Sequence, residues 1–70
     1  MMNSPPRTPD ALVHSQGEIF LFCPLTQEAK QWIAEHVEEN AMWFSHALMV
    51  EHRFAWALAV GMKDAGLELE

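Results

Sequence analysis

An unbroken apolar run occupies residues 19–23, between Gly17 and Pro24. A short run of this kind, rich in β-branched and aromatic side chains and bounded by turn residues, is typical of a strand that is covered on both faces. Pro24 has no backbone N–H and cannot donate to a β-ladder. We therefore predict a strand over residues 18–23, buried on both sides and ending at this proline.

Beyond the proline, apolar residues recur at three- and four-residue steps, which is the period of one helix face. Thr26 is a favourable N-cap for such a helix, because its hydroxyl can accept from the backbone N–H groups of the first turn. Asn40 tolerates the left-handed conformation that ends many helices. We predict a helix over residues 27–39. Its apolar stripe consists of Ala29, Trp32, Ile33, His36 and Val37.

A second short apolar run lies at residues 47–50, where period alone does not separate strand from helix. We favour a strand over residues 47–50 and a helix over residues 51–65; the alternative is one helix over residues 43–65. Gly66 suits the C′ position of that helix, with Leu67 contacting Met62 as in a Schellman motif. The alternation at residues 67–69 predicts a half-exposed edge strand.

These predicted elements follow the order β-α-β-α-β. Alternating strands and helices favour an α/β fold, in which helices pack on a small sheet and crossovers between parallel strands are right-handed; α+β is the alternative. Residues 1–16 are rich in proline and small polar residues, and they predict a flexible N-terminal tail before a single domain over residues 17–70. The alternative is a short arm in which Leu12 and Val13 dock on the domain.

The second predicted helix has no polar side chain over residues 54–62. A helix that is apolar all round needs burial all round, and a chain of 70 residues has little core to supply it. The helix has two such faces, and they cannot both cover the sheet. One face consists of Phe54, Ala57, Leu58, Gly61 and Ala65, and the other of Trp56, Ala59, Val60 and Lys63. We expect the remaining face to form a homodimer, the commonest symmetric assembly. The contact candidates are Trp43, Phe54, Trp56, Ala57, Val60 and Gly61.

A monomeric core offers an alternative to the homodimer. In that arrangement Trp56 and Val60 would lie beneath the connection at residues 42–44, which is itself apolar. Exposed single apolar residues are also ordinary on protein surfaces.

The charge balance narrows the range of partners. Ten acidic residues against four basic ones give a formal net charge of −6, which disfavours nucleic acid because phosphate binding needs a lysine and arginine footprint. Glu35, Glu38 and Glu39 form an acidic patch near the end of the first helix. This patch is either a solvated face or a binding site for a basic partner, as in a small acidic inhibitor of a larger complex.

Candidate chemistry is sparse. The histidines, at positions 14, 36, 46 and 52, lack the spacing that brings two imidazoles together on one element, so we expect no metal site. Cys23 is the only cysteine; paired with a histidine it would serve a small enzyme or a ligand-binding protein, but a cysteine in an apolar strand is normally inert. We expect a non-catalytic protein without cofactors.

No segment has the pattern of a signal peptide or of a membrane span. The single cysteine is compatible with a reducing compartment. We therefore expect a cytoplasmic protein that binds another protein, without nucleic-acid or membrane partners, and whose main activity is interaction through the second helix.

The chain also resembles a group of small uncharacterised bacterial proteins over residues 16–69. The resemblance implies bacterial origin and a self-contained small domain, and it brings no known activity, cofactor or catalytic residue. The matching positions are Gln16-Gly17-Glu18-Ile19, Pro24-Leu25-Thr26, Trp32, Ala41-Met42-Trp43-Phe44, Ala47-Leu48, Val50-Glu51-His52-Arg53-Phe54, Gly61-Met62 and Gly66-Leu67.

Overall fold

A computed structural model describes residues 8–37 and 41–70 of the chain. Over these residues the element order is β-β-α-β-β-α, and the strands form one antiparallel sheet in the order β1-β2-β4-β3. The fold class is therefore α+β. The elements are β1 (Ala11–Gln16), β2 (Ile19–Pro24), α1 (Gln27–His36), β3 (Trp43–Phe44), β4 (Ala47–Glu51) and α2 (His52–Asp64).

The predicted β-α-β-α-β order with parallel crossovers is wrong, because two tight hairpins add the strands β1 and β3 and because β2 and β4, which flank α1 and β3 in the chain, pair antiparallel. Gly17 and Glu18 connect β1 to β2, and Gly17 has φ +66°. A glycine with positive φ at the first position of a two-residue loop is typical of a type II′ hairpin. Ser45 and His46 connect β3 to β4 in the same way, with φ 59° at Ser45.

Part of the predicted N-terminal tail belongs to the sheet. Residues 11–16 form β1, which pairs with β2 from Ala11 opposite Pro24 to Gln16 opposite Ile19. Backbone ladder bonds do not require apolar side chains, so the polar residues at the end of this strand gave no strand signal. Residues 1–7 of the predicted tail lie outside the described part of the chain.

The other predicted elements lie close to their observed places. The predictions at 18–23, 47–50 and 51–65 correspond to β2, β4 and α2, so the alternative helix over residues 43–65 is wrong. Helix α1 ends at His36 rather than at residue 39, because Val37 is extended, with φ −116° and ψ 141°. The predicted strand at 67–69 is reduced to a parallel bridge between Leu69 and Ala11.

The predicted helix caps at Thr26 and Gly66 are present. The Thr26 hydroxyl oxygen accepts from the Ala29 N–H at 3.2 Å, and the hydroxyl donates to Oδ1 of Asp10 at 2.7 Å. At the end of α2, Gly66 has φ +90°, and the Leu67 N–H donates to the Met62 carbonyl at 3.0 Å. These bonds satisfy backbone groups that helix ends leave unpaired.

Both helices pack on the same face of the sheet. Neighbouring strand residues that lie directly opposite each other share a face, so Phe22 of β2 and Leu48 of β4 point to the helix side together. Both are buried, in one cluster with residues from α1 and α2. The buried cluster consists of Ala11, Phe22, Ala29, Ile33, Leu48, Ala55 and Met62.

The opposite face of the sheet is also apolar, and no element in the described part of the chain packs on it. Leu21 lies opposite Met49, and Leu12 opposite Cys23, on this open face. All four are half-buried and lie outside the helix-side cluster. The prediction that residues 18–23 form a strand covered on both faces is therefore wrong within one chain, because both helices cover the same side.

Candidate functional site

Helix α2 contacts the sheet through a narrow stripe of four residues. Ala55 and Met62 are buried, and Leu58 and Ala59 are half-buried against the core. The stripe takes Leu58 from one of the two predicted faces and Ala59 from the other. The prediction that one of those faces covers the sheet is therefore wrong: the sheet contact falls between them and leaves part of each exposed.

The first exposed part of α2 forms one wall of an open groove beside α1. Phe54, Ala57 and Gly61 lie in this wall, with Trp32 and Val37 on the opposite side, and the groove has a volume of about 780 Å³. A Cβ atom added to Gly61 would lie 3.2 Å from Cζ2 of Trp32. The small size of Gly61 therefore allows the two helices to approach within the same chain.

The second exposed part of α2 consists of Trp56 and Val60, which are not in the groove wall. The side chain of Trp56 is 79% exposed, the largest exposure among the large hydrophobic residues of the described chain. Phe44 and Met42, which the alternative monomeric core would place over Trp56, are each 65% exposed. Within one chain, therefore, the connection at residues 42–44 does not bury Trp56.

Charged residues lie only at the two ends of this exposed surface. Arg53 is in the first turn of α2, where its Nε lies 3.5 Å from Oε1 of Glu51 and its guanidinium lies 4.8 Å from the centroid of the Phe54 ring. Lys63 and Asp64 are in the last turn. Since residues 54–62 carry no charge, the middle of the exposed surface of α2 is apolar throughout.

The remaining predicted contact residues are not on α2. Trp43 is in the edge strand β3, opposite Leu48, and is half exposed. Of the predicted acidic patch, Glu35 is exposed on α1 and accepts a hydrogen bond from Nε2 of Gln31 at 3.3 Å, while Glu38 and Glu39 lie outside the described residues. The structure thus gathers Phe54, Trp56, Ala57, Val60 and Gly61 on one helix and leaves Trp43 apart.

The sequence analysis missed Trp32 and His36 as lining residues of the groove. Their rings stack with centroids 4.1 Å apart, and Nδ1 of His36 lies 2.8 Å from the carbonyl oxygen of Trp32. Because a carbonyl oxygen only accepts, Nδ1 carries the hydrogen in this contact. The i, i+4 spacing of an aromatic pair on one helix is the signal that could have identified this contact.

Among residues 8–37 and 41–70, no group of three or more histidine, cysteine, aspartate or glutamate side chains converges on a point that could hold a metal ion. Cys23 is half-buried on the open sheet face, where it lies opposite Leu12 of β1. Within the same ranges, neither helix is both long and apolar enough to cross a membrane.

Comparisons with protein-family models, curated proteins and solved structures find no match to this chain. The class that the fold defines is a small α+β domain with both helices on one side of an antiparallel sheet. Its distinguishing surface is the exposed apolar side of α2.

Proposed function

We propose that this protein is a non-catalytic protein-interaction module that self-associates through the exposed side of α2, in the cytoplasm of a bacterium. The bacterial origin rests on the sequence resemblance, and the compartment on the single thiol. The interaction itself is supported by the surface of α2.

The observation that carries the proposal is the exposure of Trp56 in the middle of an apolar helix surface. Tryptophan is enriched at the centres of interfaces, where its large side chain supplies much of the binding energy. Trp56 is 79% exposed, and Val60 and Phe54 are exposed on the same helix. Contiguous exposed apolar surface of this kind marks interaction sites in soluble proteins.

The test is a Trp56→Glu variant measured beside the wild type by sedimentation velocity over a range of concentrations. We expect a wild-type dimer and a monomeric variant with an unchanged circular dichroism spectrum. The variant should remain folded, because substitutions at exposed positions typically change stability by less than about 0.5 kcal/mol. Gln27→Glu is the matched control, since it adds the same charge at an exposed position of α1.

A wild type that is monomeric at every concentration would contradict self-association. A dimer that persists in Trp56→Glu would contradict the role of α2. The control variant should dimerise like the wild type, which shows that the added negative charge alone is not responsible.

A further inference from the structure

We infer that the second copy docks α2 against α2 in an antiparallel pair about a two-fold axis, with Arg53 of each copy beside the partner's Asp64. This inference rests on the proposed function, which requires only that α2 is the surface of self-association. It adds the direction of the partner helix and the residues that meet.

The first step is the direction in which each residue of α2 points. An α-helix turns about 100° per residue, so the positions opposite Ala55 and Met62 point away from the sheet. Arg53 and Asp64 lie almost directly opposite this buried pair. They are about 16 Å apart along the helix, at a rise of about 1.5 Å per residue. The outermost line of α2 therefore has a positive charge at its start and a negative charge at its end.

Charge then selects the direction of the partner helix. In a parallel pair, Arg53 would face the partner's Arg53 and Asp64 the partner's Asp64, and like charges repel. In an antiparallel pair, each arginine faces an aspartate. Two copies that each carry a net charge of −6 repel one another, and the two Arg53–Asp64 contacts offset part of that repulsion.

The apolar residues between these charges fit the same axis. A two-fold axis that crosses α2 between Leu58 and Ala59 brings Arg53 level with the partner's Asp64. The same axis places Trp56 beside the partner's Val60, because an antiparallel two-fold brings the same flank of each helix together. The large side chains of both copies then meet on this flank, which lies outside the groove beside α1.

The helix dipoles support the same direction. Arg53 is near the N-terminal end of its own helix and Asp64 is near the C-terminal end. Both charges are unfavourable there, because the N-terminus of a helix carries partial positive charge and the C-terminus partial negative charge. An antiparallel partner places Arg53 beside a helix C-terminus and Asp64 beside a helix N-terminus, where each charge is favourable.

The test exchanges the two charges. Arg53→Glu and Asp64→Lys each place like charges together at both ends of the pair, and the double variant restores opposite charges. We expect each single variant to raise the dimer dissociation constant about tenfold and the double variant to return it to within about threefold of wild type. Each single variant gives its own helix a favourable terminal charge, and the pair with Glu51 that Arg53→Glu removes is exposed and contributes little stability. An unchanged circular dichroism spectrum would show that the loss of dimer does not come from unfolding.

Three outcomes separate this inference from the proposed function. If Trp56→Glu dissociates the dimer but the charge variants leave it unchanged, the antiparallel arrangement is wrong and the α2 interface stands. If the double variant dimerises no better than the singles, the pairing of Arg53 with Asp64 is wrong. If Leu21→Lys on the open sheet face dissociates the dimer and Trp56→Glu does not, both proposals fail and the sheet face is the interface.

Discussion

At the scale of single residues, the backbone conformation of Ser45 is the most unusual feature of the described chain. Ser45 has φ 59° and is the one non-glycine residue with positive φ among those that the structure describes. The equivalent position of the β1–β2 hairpin is occupied by Gly17. A side chain in this region costs about 1 kcal/mol or more, because Cβ approaches the backbone carbonyl. The β3–β4 hairpin therefore stores strain that the β1–β2 hairpin does not.

Replacing Ser45 by glycine should release this strain. We expect Ser45→Gly to raise the free energy of unfolding by about 0.5–1 kcal/mol, after the greater flexibility of glycine in the unfolded chain is taken into account. Urea denaturation measures the change. Ser45→Ala retains a Cβ and should leave the stability nearly unchanged, so an equal gain from alanine would contradict the explanation by strain.

At the scale of elements, Thr26 connects the start of α1 to the start of β1. Its hydroxyl caps the Ala29 N–H and also donates to Asp10, and the other carboxylate oxygen of Asp10 accepts from the Glu68 N–H at 2.7 Å. The Leu25 N–H donates to the Asp10 carbonyl at 2.7 Å. One short network therefore joins the helix cap, the first strand and the C-terminal segment.

Removing the hydroxyl should abolish two bonds of this network, the cap on the Ala29 N–H and the bond to Asp10. We expect Thr26→Ala to lower the free energy of unfolding by about 1–2 kcal/mol, at the upper end of values for a lost N-cap. Thr26→Ser retains the hydroxyl and should lose much less, in the same chemical denaturation experiment. Equal losses from alanine and serine would show that the methyl group of Thr26, and not its hydrogen bonds, contributes the stability.

The elements show where local sequence was sufficient. The cap at Thr26 and the Schellman end at Gly66 were predictable because both depend on bonds within a few residues of the chain. The strand β1 was not, because His14 and Ser15 are polar and the ladder to β2 is formed by backbone groups. The end of α1 was placed too late, because the apolar stripe extends to Val37 although that residue is extended.

At the scale of the whole molecule, the sheet is apolar on both faces but covered on one. Leu48 of β4 is 2% exposed on the helix side, and Leu21 of β2 is half-buried on the open side. The same substitution at the two positions measures the difference between the faces. It also shows whether the open face is buried in solution.

We expect Leu48→Ala to lower the free energy of unfolding by about 2–5 kcal/mol and Leu21→Ala by less than about 1.5 kcal/mol. Leu48→Ala leaves a cavity in a packed core. The expected loss of free energy is a large share of the stability of a small domain. Thermal or urea denaturation at several protein concentrations gives both values. A loss at Leu21 as large as that at Leu48 would contradict an open sheet face.

For the candidate site, the sequence alone identified the helix but not the surface. It determined that residues 54–62 are apolar all round and that their apolar surface exceeds what a small core can bury, since both statements depend only on composition and chain length. The tertiary structure decided which side of α2 is taken by the sheet, because the packing of Ala55 and Met62 depends on strands distant in sequence.

The sequence by itself determined the position of β2, the start of α1 with its cap at Thr26 and the end of α2 with its cap at Gly66, because apolar period and turn chemistry act over a few residues. It favoured β4 and the start of α2 over one helix at residues 43–65 without deciding between them. Only the tertiary structure decided that β2 and β4 pair antiparallel although α1 and β3 separate them in the chain, and that both helices lie on one face. These choices depend on backbone pairing and packing between distant segments, which no local pattern specifies, whereas the Gly17–Glu18 turn that brings β1 into the sheet is local.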